Sequence, residues 1–258
     1  MAKKTIGRIS DAKSIFLFIF VVTIPVWLQA VNGVCSDTEE NQLWKRAEAI
    51  AKANKHHIPG KILVTEIVKD NKGKTESETH IAVKSIAGPK QSLQWKVVKA
   101  IENGKDISSK GSRSILDELY DVTLDLGELH PFSEKSCDIS IQLVSEAHIY
   151  KGRKCRIFTF KMPHNKQVWR GKIWIHTRTG IPLVMEIGAP SPFKDDGVDI
   201  LEYKVKIEYS DDAANWFPLF LKEDITLKAK TFPFSTWKGT SESTVVFSDY
   251  WNHAKQLK

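Results

Sequence analysis

The chain has 258 residues, 41% hydrophobic, 27% charged and 10% aromatic. That composition excludes a disordered chain, and a mean hydropathy of −0.28 excludes a polytopic membrane protein. The formal net charge is +7; Lys3, Lys4, Arg8 and Lys13 against Asp11 put part of that excess at the very start of the chain, and the remainder is ordinary solubility charge.

The basic start is followed by an apolar run from Ile15 to Leu28 and then by Ala30, Asn32 and Gly33. This order predicts a secretory signal peptide over residues 1–30, with cleavage near 30–34 and a single mature domain over 35–258. Thr23 and Pro25 interrupt the run, which falls short of the roughly 20 apolar residues that span a hydrocarbon core. The expected location is exported and periplasmic, with a membrane tether if the leader is retained or Cys35 is lipidated. Val34 occupies the position where a lipoprotein signal carries a small residue. Export and the lack of a dense Lys/Arg block after the leader argue against nucleic acid as a partner. The three cysteines, Cys35, Cys137 and Cys155, cannot all pair within one chain, and free thiols are expected.

Ser36, Asp37, Glu39 and Glu40 supply cap and first-turn acids, after which Leu43, Trp44, Ala47, Ile50 and Ala51 recur on one helical face. The spacing predicts an amphipathic helix from about Thr38 to Asn54. His56 and His57 follow it without a third ligand at metal-site spacing, so they read as a helix end. No metal or cofactor is expected.

From Lys61 the period changes to two. Strands are predicted near Lys61 to Lys69, Glu76 to Ala87, Ser92 to Glu102, Asp138 to His148, Lys154 to Met162, Val168 to His176, Ile181 to Gly188, Asp199 to Ser210, Phe217 to Thr231 and Ser241 to Trp251, as an antiparallel meander. Alternation is clean in Leu201, Tyr203, Val205, Ile207 and Tyr209, in Ile181, Leu183, Met185 and Ile187, in Leu219, Leu221, Ile225 and Leu227, and in Leu93, Trp95 and Val97. One face of the sheet is therefore expected dry and one wet. Ser112 to Leu129 is a second helix candidate that would lie across the sheet, ended by Pro131.

Nucleophile-elbow, zinc-protease, paired-cysteine and phosphate-loop signatures do not occur, so no enzyme is expected. Asp195 with Asp196, and Asp211 with Asp212, lie among small and polar residues and read as turn formers. Pro190, Pro192 and Phe193 read as a strand connection.

One-sided strands in this number present on the order of 30 apolar side chains, each worth about 1.5–3 kcal/mol when taken out of water. One helix, or two, can hardly cover them. The dry face calls for barrel closure, a curled sheet with a helical lid, or a ligand or partner.

Two segments then carry a family resemblance. Tyr150-Lys-Gly-Arg-Lys-Cys-Arg-Ile-Phe-Thr-Phe160, followed by Trp169-Arg-Gly-Lys-Ile-Trp-Ile-His-Thr-Arg-Thr-Gly-Ile-Pro-Leu-Val-Met-Glu186, resembles the core hairpins of the lipoprotein-localisation (Lol) superfamily. Trp174, Ile175, Thr179, Gly180 and Pro182 match, while His176 stands where the family usually has Asp, a change that falls on turn chemistry. The resemblance implies a mainly β (α+β) fold: a strongly curved antiparallel half-barrel whose concave apolar face is covered by the N-terminal helix and a short second helix or loop. It also implies a periplasmic, non-enzymatic protein sheltering acyl chains of lipoproteins or lipids. The same fold resembles the sensing domain of RseB-type regulators of envelope stress, which implies as the alternative a module binding a membrane-anchored partner.

The expected ligand-lining residues are Trp95, Phe158, Phe160, Trp169, Ile173, Ile175, Leu183, Met185, Val205, Ile207, Leu221 and Leu227, with Trp44 and Ile50 on the lid. Expected partners are acyl chains and an inner- or outer-membrane protein, acting on a monomer.

Overall fold

The computed structural model describes residues 39–55, 57–87, 93–109, 130–132, 139–164, 167–190, 192–195, 198–231 and 235–252. The signal-peptide reading, Cys35, Cys137, His56, Asp196 and the helix candidate from Ser112 to Leu129 lie outside the described residues.

Helix α1 spans Glu39–Ala53, with Glu39 and Glu40 in its first turn and Lys52 in its last, the charge order that a helix dipole favours. Leu43, Ala47 and Ala51 recur every fourth residue and are its buried stripe. Asn54 closes it by donating from Nδ2 to the Ile50 carbonyl at 2.9 Å. His57, in the helix-end role expected of it, places Nδ1 3.1 Å from the Asn54 carbonyl.

The strands that follow are β1 (His57–Ile58), β2 (Lys61–Asp70), β3 (Thr75–Ala87), β4 (Leu93–Glu102), β5 (Lys105–Asp106), β6 (Ser140–Tyr150), β7 (Arg153–His164), β8 (Gln167–His176), β9 (Pro182–Gly188), β10 (Phe193–Asp195), β11 (Val198–Tyr209), β12 (Pro218–Thr231), β13 (Ser235–Ser248) and β14 (Trp251–Asn252). One large sheet runs in the order β5-β4-β3-β2-β13-β12-β11-β9-β8-β7-β6, with β10 added on β11 and with β1 and β14 forming a separate pair. Its pairings are antiparallel and it is not closed into a barrel; it is a curved half-barrel. Two of its hairpins turn on Asn103-Gly104 and Lys151-Gly152, each residue at positive φ, the backbone that a two-residue hairpin needs to match strand twist.

The ten predicted strands are present, and the differences have local causes. β13 starts at Ser235 because its ladder with β12 continues to the Thr231–Ser235 pair. It stops at Ser248, where Asp249 takes φ 57, and Trp251 turns away to pair with Ile58. In β11 a register shift between Ile200 and Glu202 moves the dry position from Leu201 to Ile200. Leu219 is exposed, beside the register shift at Tyr209, although it shares the phase of Leu221. β9 is not one-sided: Pro182, Leu183, Val184 and Met185 are all buried, with Val184 in register between Trp174 and Glu208 on the neighbouring strands. Phe193, read as part of a connection, and Asp195, read as a turn former, instead lie in the short strand β10 on β11, where Phe193 pairs with Ile200 and Asp195 with Val198.

The remaining smaller expectations resolve as turn and core chemistry. Asp212 caps a single 3-10 turn by accepting from the Ala214 amide at 2.9 Å. Asp211 pairs with Arg153. Cys155 is a free, buried thiol, as expected, and burial raises its pKa. Among the described residues no cluster of His, Cys, Asp and Glu could hold a metal ion.

Candidate functional site

The antiparallel registers set the concave face out in rows. Phe158, Ile173, Met185, Ile207, Leu221, Val245, Val64 and Ile81 stand side by side on eight consecutive strands. Every member of this row is apolar. The adjoining row reads Phe160, Gly171, Ile187, Val205, Glu223, Ser243, Glu66 and Thr79. It is apolar over β7 to β11 and becomes polar from β12 onward.

Of the expected lining residues, Phe158, Phe160, Trp169, Ile173, Ile175, Leu183, Met185, Val205, Ile207 and Leu221 are buried together in one cluster, with Trp44, Ile50 and Trp95 packed against it. Leu227 is buried elsewhere, with Val198, Ile200 and Ile225 in a second cluster to which Tyr203 also packs. The T-shaped contact of Trp169 with Tyr203, centroids 5.3 Å apart, joins the two regions.

Helix α1 lies over the main cluster. Trp44 sets its ring 5.6 Å from Phe158 and 4.8 Å from Phe132. The described segment 130–132 joins the cover: His130 stands edge-on to Phe132, Trp216 and Tyr209, and Trp216 stacks on Tyr209 at 4.4 Å. Burial lowers the His130 pKa to about 4, so the ring is neutral in near-neutral solution. Trp216 is anchored by its indole N–H to the Pro182 carbonyl at 2.8 Å.

Polar contacts join the helix to its surroundings at Arg46, Glu39 and Asn54. Arg46 donates to the Arg178 carbonyl at 3.2 Å, and Arg156 reaches Glu39 at 3.4 Å. Asn54 donates to the Ala213 carbonyl at 2.9 Å and accepts from the Trp216 amide at 3.2 Å. The turn that receives Arg46 is the one containing His176, whose Nδ1 lies 2.6 Å from the Thr179 hydroxyl. His176 therefore does turn chemistry, as the sequence suggested.

Sequence reasoning missed two groups. The aromatic cover from His130, Phe132, Tyr209 and Trp216 draws on residues remote in sequence, and only Tyr209 had a periodic signal. The polar patch was legible: Glu223 interrupts Leu221, Ile225 and Leu227, and Glu66 interrupts Val64 and Val68, each in the apolar phase. Tyr203 donates to the Glu223 carboxylate at 2.5 Å, and Ser241 donates to Glu66 at 3.1 Å. Burial holds the Glu223 pKa above the usual carboxylate range and the Glu66 charge pushes the same way, against the Tyr203 hydrogen bond.

Comparison with known proteins places two solved structures beside this one. A domain from Vibrio parahaemolyticus, named for outer membrane lipoprotein sorting, shares 10% identity at a TM-score of 0.37, covering 85% of this chain and 99% of its own. A DUF1329 family protein from Desulfovibrio piger shares 12% identity at a TM-score of 0.33, covering 82% of this chain and 92% of its own. No family model and no curated protein matches the chain.

Proposed function

We propose that this chain is an exported, non-enzymatic carrier that shelters acyl chains of lipoproteins or lipids against its concave face. The observation that carries this reading is the apolar row from Phe158 to Ile81, continuous over eight strands of an open sheet. Each acyl methylene removed from water is worth about 0.8 kcal/mol, so displacing the helix from part of this row and laying a chain there binds without any covalent step. The helix suits that role because the polar attachments at Glu39, Arg46 and Asn54 leave its apolar stripe facing the cluster. Its inward stripe of Leu43, Ala47 and Ala51, with Trp44 beside it, meets the cluster by side-chain packing, which an acyl chain can replace in kind.

Native mass spectrometry of protein purified without detergent tests the reading. Adducts that release fatty acid on hydrolysis support it. Adduct-free protein that also fails to take up an added diacyl lipid overturns it, and co-purification of a membrane-anchored regulatory protein would then favour the sensing alternative.

A further inference from the structure

One corner of the convex side of the sheet combines exposed lysines with exposed aliphatic side chains. In register across β4, β3 and β2 stand Lys96, Lys84 and Lys61, all exposed. Beside them Leu63 pairs with Val246 on β13, and Val98 is the extra residue of the β4 bulge opposite Ala82 and Val83. Leu63 is 39% exposed, Ile86 39%, Val246 40% and Val98 61%. Farther along the convex face some lysines have carboxylate partners, Lys69 with Glu242 at 2.7 Å, Lys206 with Glu208 at 3.0 Å and Lys222 with Asp224 at 3.0 Å, while Lys172 and Lys228 stand on other strands away from this corner. Among the described residues Lys61, Lys84 and Lys96 have no such partner. The carboxylates adjoining the area are Glu208, already held by Lys151 and Lys206, Asp106, which feels Lys99, and Asp249 in the turn after Ser248.

We propose that this corner of the convex face docks the protein onto an anionic lipid bilayer. Unpaired lysines interspersed with exposed aliphatic side chains combine the two attractions that hold a peripheral protein at such a surface: charge toward the phosphate plane and insertion of apolar groups at its edge. A protein partner fits less well. Anchor residues of protein interfaces seat in pockets and favour aromatic side chains, whereas this area is convex and its exposed apolar side chains are aliphatic. The inference stands on the outer surface and does not depend on the concave face holding acyl chains.

Vesicle co-sedimentation tests it, using protein recovered from the soluble fraction of the producing cells. Vesicles containing phosphatidylglycerol should retain the protein at low salt, and phosphatidylcholine vesicles should not. Lys84→Gln with Lys96→Gln should lower partitioning about 25-fold, taking roughly fivefold per lysine near the surface. Leu63→Ser with Val246→Ser should lower it with the charge unchanged, and circular dichroism confirms that each variant is folded. Lys172→Gln with Lys228→Gln, the same charge change on other strands, should have a much smaller effect. Failure to bind phosphatidylglycerol vesicles overturns the proposal, as does an equal loss in the Lys172 and Lys228 variant, which would reduce the effect to net charge.

Discussion

Gly180 sits so close beneath Arg46 that a β-carbon on it would stand 2.8 Å from the Arg46 Cβ. Its φ is +78, which only glycine adopts without strain. The turn between β8 and β9 is thus shaped to receive helix α1. Gly73 shares that φ with no atom within 4 Å of the corresponding position. Gly73→Ala should therefore cost about 1 kcal/mol, the backbone penalty alone. Gly180→Ala should cost a further 1–3 kcal/mol or so from crowding. Denaturant unfolding of both variants measures the difference, and equal losses would contradict a tight seat for the helix.

Trp44 tests the helix as a cover. Trp44→Asp removes two aromatic contacts, worth about 0.5–1.5 kcal/mol each, and sets a charge over the apolar row. Retention of a fluorescent fatty acid should fall about tenfold or more, since 1.4 kcal/mol is a factor of ten, while the β signal in circular dichroism stays. Unaltered retention would count against the helix as the lid of a binding face.

Two glutamates should give opposite pH signatures. The folded-state pKa of Glu223 is raised, chiefly by burial, so the unfolded chain releases that proton first, and stability falls as pH rises above the ordinary carboxylate range. Glu223→Gln, which can still accept from Tyr203, should raise the melting temperature at pH 7 and have little effect near pH 3. Glu208 is the reverse. Burial pushes it up, but the ion pairs with Lys151 and Lys206 outweigh burial and hold it at about 2. Its contribution is present above the ordinary range and is lost as pH falls toward 2, so Glu208→Gln should destabilise at pH 7 and matter less in acid. Melting curves of both variants from pH 3 to 8 decide the matter; parallel shifts would refute the assignment.

Gly171 makes room for a lining side chain. A β-carbon there would lie 2.3 Å from Phe160 Cζ and 2.6 Å from the Glu186 carbonyl. Gly171→Ala should cost about 1–3 kcal/mol. Adding Phe160→Leu should recover only part of that loss, because the backbone carbonyl remains in the way. Full recovery in urea melts would show that the ring alone fills the space.

Much of this architecture is written in local pattern. The change from a four-residue recurrence at Leu43, Ala47 and Ala51 to alternation after Lys61 located the helix and the ten strands, because periodicity records which side of each element meets water. It failed where a ladder shifts register. The bulge after Ile200 exchanges Leu201 for Ile200, and no residue type announces such a shift beforehand. The buried outer side of β9 was likewise invisible, since Val184 is covered by strands adjacent only in space.

The candidate site divides in the same way. The sequence by itself determined that the chain carries one dry sheet face, since alternation is a property of each strand alone, and it named the apolar row from Phe158 to Leu221 while passing over Val245, Val64 and Ile81. The tertiary structure decided which of those side chains meet, that Leu227 belongs to a separate cluster, that Glu66 and Glu223 share the concave face with the apolar row, and that Trp44 closes on Phe132 and Phe158. Those outcomes depend on strand order and register, which join residues more than a hundred positions apart, and no local periodicity encodes that pairing.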